Sequence, residues 1–405
     1  MTKKTVVVGV TGGIACYKAA ELVRLLVQDG FAVRVIMTKS AAEFVTPLTF
    51  QTLSGHPVAT ELFSLTEESE IGHINLADQA NLLVIAPATA NVIGKIAAGI
   101  ADDLLTTVVH ATRAKVLIVP SMNVHMYENP ILQQNIEKLK ALGYAFMEPA
   151  EGYLACGYEG KGRLPEPVDI REEVRSLLTH KDLTGERILV TAGPTQESID
   201  PIRYISNRSS GKMGYALAQA ALRRGAEVTL VSGPTALAAP SRARLIPVTT
   251  AAEMRRAVLS EFPRATAIIM AAAVSDYSPD HYAERKIKRS GGPIELRLKP
   301  NPDILGELGA HKDGQVLIGF AAETDDLVYN AKKKLEAKKL DMVVANDVTQ
   351  PGSGFEVDTN TVTVLDRHGG VYRLGPMTKQ ELADRIYDFL PRLRSDGTSE
   401  RARSG

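Results

Sequence analysis

The chain has 405 residues, with 47 Lys+Arg against 47 Asp+Glu, a formal net charge of zero, and two cysteines, Cys16 and Cys156. A single core stops growing at roughly 250–300 residues, so two domains are expected. Balanced charge argues against a general polyanion binder and the cysteine count against a disulfide framework, while no stretch reaches the roughly 18 apolar residues of a membrane-crossing helix.

The first residues run straight into a strand, without the layout of a secretory signal. The expectation is a cytoplasmic protein with small-molecule partners and neither nucleic acid nor membrane. Residues 5–10 are short and β-branched and predict a buried strand; helical spacing follows over 14–27. Further strands are predicted at 32–36, 82–86 and 115–119. Continuous apolar strands separated by helices predict a parallel sheet covered on both faces. Pro165 and Pro167, then a short charged helical segment, mark a boundary between residues 165 and 185. We divide the chain into 1–180, 181–394 and a loose polar tail, 395–405.

The pattern restarts with a strand at 187–191, a long loop rich in Gly, Pro and Ser, and a helix from near Gly211. Strands are predicted at 227–231, 267–271, 316–320 and 341–344. Residues 361–365 and 371–374 flank His368-Gly369-Gly370 and predict a hairpin, and 377–390 a final amphipathic helix. The fold class is α/β, with two doubly wound Rossmann-like domains.

Two loops have the composition of phosphate cradles. In Gly9-Val10-Thr11-Gly12-Gly13-Ile14-Ala15 a strand ends in a glycine turn that opens a helix, offering free N–H groups and positive potential to an anion. The spacing is not G-x-G-x-x-G, and Met37-Thr38-Lys39-Ser40 stands where a dinucleotide site would place an acidic residue. That favours a mononucleotide such as FMN over NAD, against the plainer alternative of a tight turn with no ligand. Asn207-Arg208-Ser209-Ser210-Gly211-Lys212-Met213-Gly214 precedes a helix and suits a phosphate, although the Walker spacing is missing. Its alternative is a Ser cap with a surface lysine.

These loops, with several other motifs in order, resemble the bacterial bifunctional phosphopantothenoylcysteine decarboxylase/phosphopantothenate–cysteine ligases over nearly the whole chain. The first half resembles flavin-dependent cysteine decarboxylases in Gly72-His73-Ile74, Ala86-Pro87-Ala88-Thr89-Ala90-Asn91, Pro120-Ser121-Met122-Asn123-Val124-His125-Met126 and Ala155-Cys156-Gly157-Tyr158-Glu159-Gly160-Lys161-Gly162-Arg163. The family often has Asp where Tyr158 stands and Trp where Tyr127 stands. The resemblance implies FMN held by Gly12, Gly13, Ile14, Thr38, Ala88, Thr89, Ser121 and Met122. It implies a catalytic His73, a carboxylate-binding Asn123 and a proton-donating Cys156 in a mobile flap. Direct loss of CO₂ from a cysteine amide would leave an unstabilised carbanion; oxidising the thiol first gives an electron sink, and a flavin suits that two-electron step.

The second half resembles the ligase in Ala192-Gly193-Pro194-Thr195, Asn207, Ala271-Ala272-Ala273-Val274-Ser275-Asp276-Tyr277, Lys286-Ile287-Lys288, Asn301-Pro302-Asp303-Ile304-Leu305 and Gly319-Phe320-Ala321-Ala322-Glu323-Thr324. Lys334 and Lys338 lie four apart, on one face of a predicted helix. The resemblance implies activation of the 4′-phosphopantothenate carboxylate by CTP with Mg²⁺, then attack by cysteine. No metal ligands are assigned. Lys286 would stabilise the pentacovalent phosphorus and Asn207 the acyl intermediate. Ala271, Ala272, Asp276, Lys286, Pro302, Asp303, Ile304, Leu305, Phe320, Lys334 and Lys338 would contact the nucleotide. The resemblance also implies a homo-oligomer, a dodecamer built from decarboxylase trimers and ligase dimers.

Each residue has a plainer reading taken alone: a packing His, a small buried Cys, a turn Asn, solvated lysines. Two other classes compete: a non-catalytic flavin-binding regulatory protein, and a nicotinamide-dependent oxidoreductase. The first calls for loss of His73, Asn123 or Cys156. The second calls for G-x-G-x-x-G and an acidic end to the second strand, and neither appears in the first half.

Overall fold

The computed structural model describes residues 3–62, 72–153, 157–289, 292, 294–323, 326–347 and 359–394. The chain divides into two compact units, Met1–Thr179 and His180–Gly405.

The first unit is built on six parallel strands: β1 (Thr5–Val10), β2 (Ala32–Met37), β3 (Val58–Ala59), β4 (Leu82–Ala88), β5 (Lys115–Pro120) and β6 (Ala145–Phe146). Their order is β3-β2-β1-β4-β5-β6. Val6 pairs with Val33 on one side and Leu82 on the other. A strand so placed buries both faces, which is why Val6–Val10 carries no polar side chain rather than alternating. On one face Val6, Val8 and Val10 pack with Leu22 and Leu26 of the helix Cys16–Gln28 and with Ile170 and Val174 of the helix Pro167–Leu178. On the other, Val7, Leu83 and Ile85 pack with Ile93, Leu105 and Ile136. Leu22 and Leu26 are fully buried, and truncating either to Ala costs roughly 2–5 kcal/mol. Outside the sheet, β7 (Ala150–Tyr153) and β8 (Glu159–Arg163) form an antiparallel hairpin.

The second unit contains β9 (Arg187–Ala192), β10 (Gln196–Ser198), β11 (Tyr204–Ser206), β12 (Glu227–Ser232), β13 (Arg244–Pro247), β14 (Ala267–Met270), β15 (Tyr277–Pro279), β16 (Leu298–Pro300), β17 (Val316–Glu323), β18 (Met342–Asp347), β19 (Thr359–Asp366) and β20 (Val371–Thr378). The main sheet runs β13-β12-β9-β14-β17-β18-β19-β20. Its first six strands are parallel, and β19 and β20 add an antiparallel hairpin at one edge. Helices Lys212–Arg223 and Lys379–Tyr387 cover one face; Ala251–Glu261, Ile304–His311 and Leu327–Ala337 cover the other.

The charged segment after Pro167 is a full helix within the first unit's core, and the division between the two units falls behind it. Two boundaries differ from the sequence expectation. The first helix begins at Cys16 rather than Ile14, because the glycine turn extends to Ala15. Met377 and Thr378 complete β20, and the last helix starts behind Thr378. The Thr378 hydroxyl accepts from Glu381 N at 3.2 Å while the Glu381 carboxylate accepts from Thr378 N at 2.9 Å, a capping box.

Candidate functional site

In both sheets the strand order reverses next to the unit's first strand, between β1 and β4 and between β9 and β14. Ligands of open α/β sheets bind outside the carboxyl ends of the strands at that switch point. In the first unit a cleft of about 740 Å³ opens there, lined by Thr11, Gly12, Thr38, Ser40, Thr89 and Lys95 among others. Thr11 holds its floor together: the hydroxyl donates to Pro87 O at 2.7 Å and accepts from Thr89 N at 3.0 Å. A Cβ on Gly12 would lie 2.3 Å from Ser40 Cβ and 2.9 Å from Ser40 C, so only glycine fits this close approach. Gly13 faces Thr89, and Ile14 is exposed.

Two helices leave their N-termini without side-chain caps here: Cys16–Gln28, behind Ala15, and Ala90–Ala98, behind Thr89. Uncapped N–H groups and helix dipoles together suit an anion. Thr38, by contrast, uses its hydroxyl to cap the helix Lys39–Ala42, accepting from Ala41 N at 3.3 Å. Lys95 bridges Asp102 at 2.8 Å and Asp103 at 3.2 Å on the cleft rim. Burial opposes ionisation of Asp103, but bonds from Thr106 and Lys95 outweigh it and hold its carboxyl below the usual range. These rim charges carry no family motif and were not read from the sequence.

Ala88 and Ser121 meet at the carboxyl ends of β4 and β5, where Ser121 N donates to Ala88 O at 3.0 Å. The β7–β8 hairpin lies directly on the loop that follows. Met122 N donates to Gly162 O at 2.9 Å, and a Cβ on Gly162 would lie 2.2 Å from Met122 O. A Cβ on Gly160 would lie 2.8 Å from Val124 Cγ2. Tyr158 meets His125 edge-on, ring centroids 5.1 Å apart. The Gly-x-Gly run therefore serves close packing of the hairpin on the Asn123 loop. Asn123 is half-buried, and its Oδ1 accepts from His125 N at 2.8 Å. His73 lies half-buried in the first turn of the helix Gly72–Gln79. No hydrogen bond or ring contact among the described residues joins it to Asn123. Cys156 lies outside the described residues. Cys16 is buried, donates to Thr11 O at 2.9 Å and has its thiol pushed up by burial, a packing role.

In the second unit the turn after β14 gathers the predicted residues. Asn207, directly after β11, donates through Nδ2 to Val274 O at 3.0 Å. Ala271 and Ala272 are half-buried, and Ala272 N donates to Thr191 Oγ1 at 3.1 Å. Exposed Asp276 accepts at its backbone carbonyl from Asn301 N at 2.8 Å, and Asn301 Nδ2 donates to Ser275 O at 2.8 Å. A second group forms around the helix Ile304–His311, whose N-cap Asp303 accepts from Gly306 N at 3.0 Å and pairs with Lys338 at 3.0 Å. Lys334 donates to Phe320 O at 2.7 Å. The two lysines are thus engaged with Phe320 and Asp303 rather than merely solvated. Pro302 is exposed, whereas Ile304 and Leu305 are core side chains, so only their backbone is offered to a ligand. Lys286 is exposed on the connection from β15 to β16. Among the described residues no cluster of three or more His, Cys, Asp or Glu could hold a metal ion, and no helix is long and apolar enough to cross a membrane.

Residues 1–179 match the Flavoprotein family, and residues 183–393 match the family described as the DNA/pantothenate metabolism flavoprotein C-terminal domain. The chain is 50% identical over 406 residues to the coenzyme A biosynthesis bifunctional protein CoaBC of Bacillus subtilis (strain 168), covering 99% of this chain and 100% of that protein. The Escherichia coli (strain K12) protein of the same name is 43% identical over 388 residues, 95% of each chain. A crystal structure of the C-terminal domain of a protein of that name is 42% identical, covering 53% of this chain and 99% of that one, with a TM-score of 0.46. With a Flavoprotein unit followed by a pantothenate-metabolism unit in the same order and over the same length, the chain belongs to the family of bifunctional coenzyme A biosynthesis proteins.

Proposed function

We propose that the chain carries out two consecutive steps of coenzyme A biosynthesis: ligation of 4′-phosphopantothenate to cysteine in residues 181–394, then decarboxylation of the product in residues 1–180. The observation that carries this reading is that two sheets share one strand order around the switch point, the first with a cleft there lined by glycines and hydroxyls, the second with amide and lysine side chains at the carboxyl ends of its strands.

In the decarboxylase half the cleft has the size of a mononucleotide site, and ligand pockets generally run to roughly 300–1,000 Å³. The cradle that a Cβ on Gly12 would fill, and the two uncapped helix N-termini, fit FMN. Gly12, Gly13, Ile14, Thr38, Ala88, Thr89, Ser121 and Met122 would hold it. FMN supplies a two-electron acceptor and donor for the substrate's thiol-bearing carbon. The chain's own residues do the rest. Asn123, fixed at the N-cap of the helix Val124–Tyr127, orients the substrate carboxylate for departure as CO₂. His73 acts as base or orienting group, and Cys156 returns a proton to the enethiolate carbon.

In the ligase half the 4′-phosphopantothenate carboxylate attacks the α-phosphorus of CTP, and pyrophosphate leaves. The cysteine amine then attacks the acyl carbon and CMP leaves. Lys286 stabilises charge at the pentacovalent phosphorus, and Asn207 holds the acyl-cytidylate. Ala271, Ala272, Asp276, Pro302 to Leu305, Phe320, Lys334 and Lys338 border the nucleotide. Mg²⁺ would enter on the nucleotide phosphates, the usual mode for an ion that keeps several waters. A cytoplasmic homo-oligomer, a dodecamer of decarboxylase trimers and ligase dimers, belongs to the same reading. The low cysteine count suits that compartment, and exposed Ile14, Tyr17, Phe44 and Leu48 suit a covered face.

The test is a coupled assay of the purified chain with 4′-phosphopantothenate, cysteine, CTP and Mg²⁺, read by mass spectrometry. 4′-Phosphopantetheine is expected. Accumulation of the cysteine adduct alone would remove the decarboxylase reading, and absence of both products would remove the whole assignment.

A further inference from the structure

Lys286 stands on an irregular connection, yet the peptide beside it is gripped from two sides by one ion pair. Ile287 N donates to Asp200 Oδ2 at 3.1 Å, and Ile287 O accepts from Arg203 Nη2 at 2.6 Å. Ala283 N adds a third bond, to Ile199 O at 2.9 Å. Asp200 and Arg203 are joined through Arg203 Nε and Nη2 to Oδ2, at 2.9 and 2.5 Å.

Asp200 opens the turn between β10 and β11. Its Oδ1 accepts from Ile202 N at 2.9 Å and Arg203 N at 2.8 Å, the Asx-turn arrangement favoured by Asp at this place. Those two bonds alone would shape the turn. The second oxygen serves a peptide 87 residues away. The Asp200 side chain has 0% exposure, a costly place for a carboxylate unless it is fully compensated. Burial opposes its ionisation, but the Arg203 guanidinium and three backbone N–H groups outweigh it and hold the carboxyl far below the usual range. The charge therefore persists at any working pH.

The same hairpin leads through β11 into Asn207, which donates to Val274 O in the turn after β14. One short element thus carries Asn207 at its end and holds the Lys286 connection at its tip. We propose that Asp200, with Arg203 as its arm, is a positioning residue for ligation: by holding the Ile287 peptide it sets where the Lys286 ammonium stands relative to Asn207. This rests on the reading of Lys286 as the group that stabilises the reacting phosphorus.

The experiment follows pyrophosphate release in a single turnover of the full-length chain with CTP, Mg²⁺ and 4′-phosphopantothenate. Decarboxylation of supplied 4′-phosphopantothenoylcysteine serves as the internal control. Asp200→Asn keeps the shape and removes the charge. Its release rate should fall about 10- to 100-fold, the scale of a small misplacement, with decarboxylation unchanged. KM for CTP should stay within about threefold, since placement rather than ground-state binding is lost. In a Lys286→Gln background the same change should add no more than about twofold, because the two residues act as one unit. A wild-type rate for Asp200→Asn beside a slow Lys286→Gln overturns the proposal and leaves Lys286 in place, as does full additivity. A wild-type rate for Lys286→Gln removes the Lys286 reading and the proposal with it. Should Asp200→Asn fail to fold, Arg203→Lys keeps the charge and loses the fork. It should slow release about 10-fold with the same non-additivity, and a wild-type rate there overturns the proposal equally.

Discussion

In the first unit, residues 11–15 take the chain from β1 straight into its first helix; in the second, residues 193–211 separate β9 from the corresponding helix and hold a whole hairpin. Gly193 and Gly211 close that excursion: both have positive φ, and a Cβ on Gly211 would lie 3.4 Å from Gly193 N. The strand order around the switch point is otherwise the same. The short turn leaves bare backbone facing the cleft, which suits a resident phosphate. The long one brings polar side chains onto backbone groups of later connections: Asn207 on Val274 O, Arg203 on Ile287 O and Asp200 on Ile287 N. One scaffold carries two chemistries because the difference lies in the connections, beginning with the first, and not in the strand order at the switch point.

The largest expected effects test whether the two crevices are independent. His73→Asn should cut decarboxylation by roughly 10²- to 10⁴-fold, the usual span for a lost acid–base group, and leave ligation at its wild-type rate. Equal damage to both activities would mean misfolding. Lys286→Gln should do the reverse, slowing ligation roughly 10²- to 10³-fold, as removal of one preorganised charge donor does. A wild-type ligation rate would clear Lys286 of a catalytic role.

A middle-sized effect is expected where the first unit relies on missing side chains. Gly12→Ala places a Cβ 2.3 Å from Ser40 Cβ and 3.0 Å from Ser40 O, so the connection after β2 must shift. Overpacking of this kind costs about 1–3 kcal/mol. The purified protein should lose its yellow colour on gel filtration and regain decarboxylation with added FMN, while ligation is untouched. A variant that stays yellow would show that the turn is merely tight.

Strands with both faces buried were legible, because a run such as Thr5–Val10 has no polar alternation to confuse it. The elements missed are those whose stability comes from elsewhere. β10 and β11 span three residues each and exist because Asp200 shapes their turn and Ile287 docks on it. β7 and β8 contain Gly152, Gly160 and Gly162, residues that weaken a strand, and are justified by close packing on Met122 and Val124. Asp200-Pro201 is a turn signal that could have located the first hairpin. Thr378-Lys379-Gln380-Glu381 is a capping box that could have fixed the start of the last helix. The site residues are a different matter. Asn123, Asn207 and Lys286 are proposed on motifs in order along the chain, whereas the grouping of Lys95 with Asp102 and Asp103 becomes visible only when the fold brings the rim together.

The smallest expected effect separates the charge in the second crevice from the hydrogen bond beneath it. Asp303 caps the helix Ile304–His311 and pairs with Lys338, and its side chain is 56% exposed. Burial opposes ionisation, but the Gly306 N–H and the lysine outweigh it and hold the carboxyl below the usual range. A carboxyl depressed in the folded state stabilises the fold above its unfolded pKa, about 3.9, and loses that contribution as pH falls through the folded value. Asp303→Asn keeps an acceptor for Gly306 N and removes the charge. An exposed pair contributes about 0–1 kcal/mol, so at pH 7 the variant should melt no more than about 4 °C below wild type. That gap should hold at pH 5, begin to shrink as pH approaches the unfolded value of about 3.9 and vanish once pH lies below the folded value. A gap that persists into acid would assign the difference to the cap rather than to Lys338. Asp303 would then sit with the first unit's crevice, built on backbone contacts, rather than with the lysines beside it.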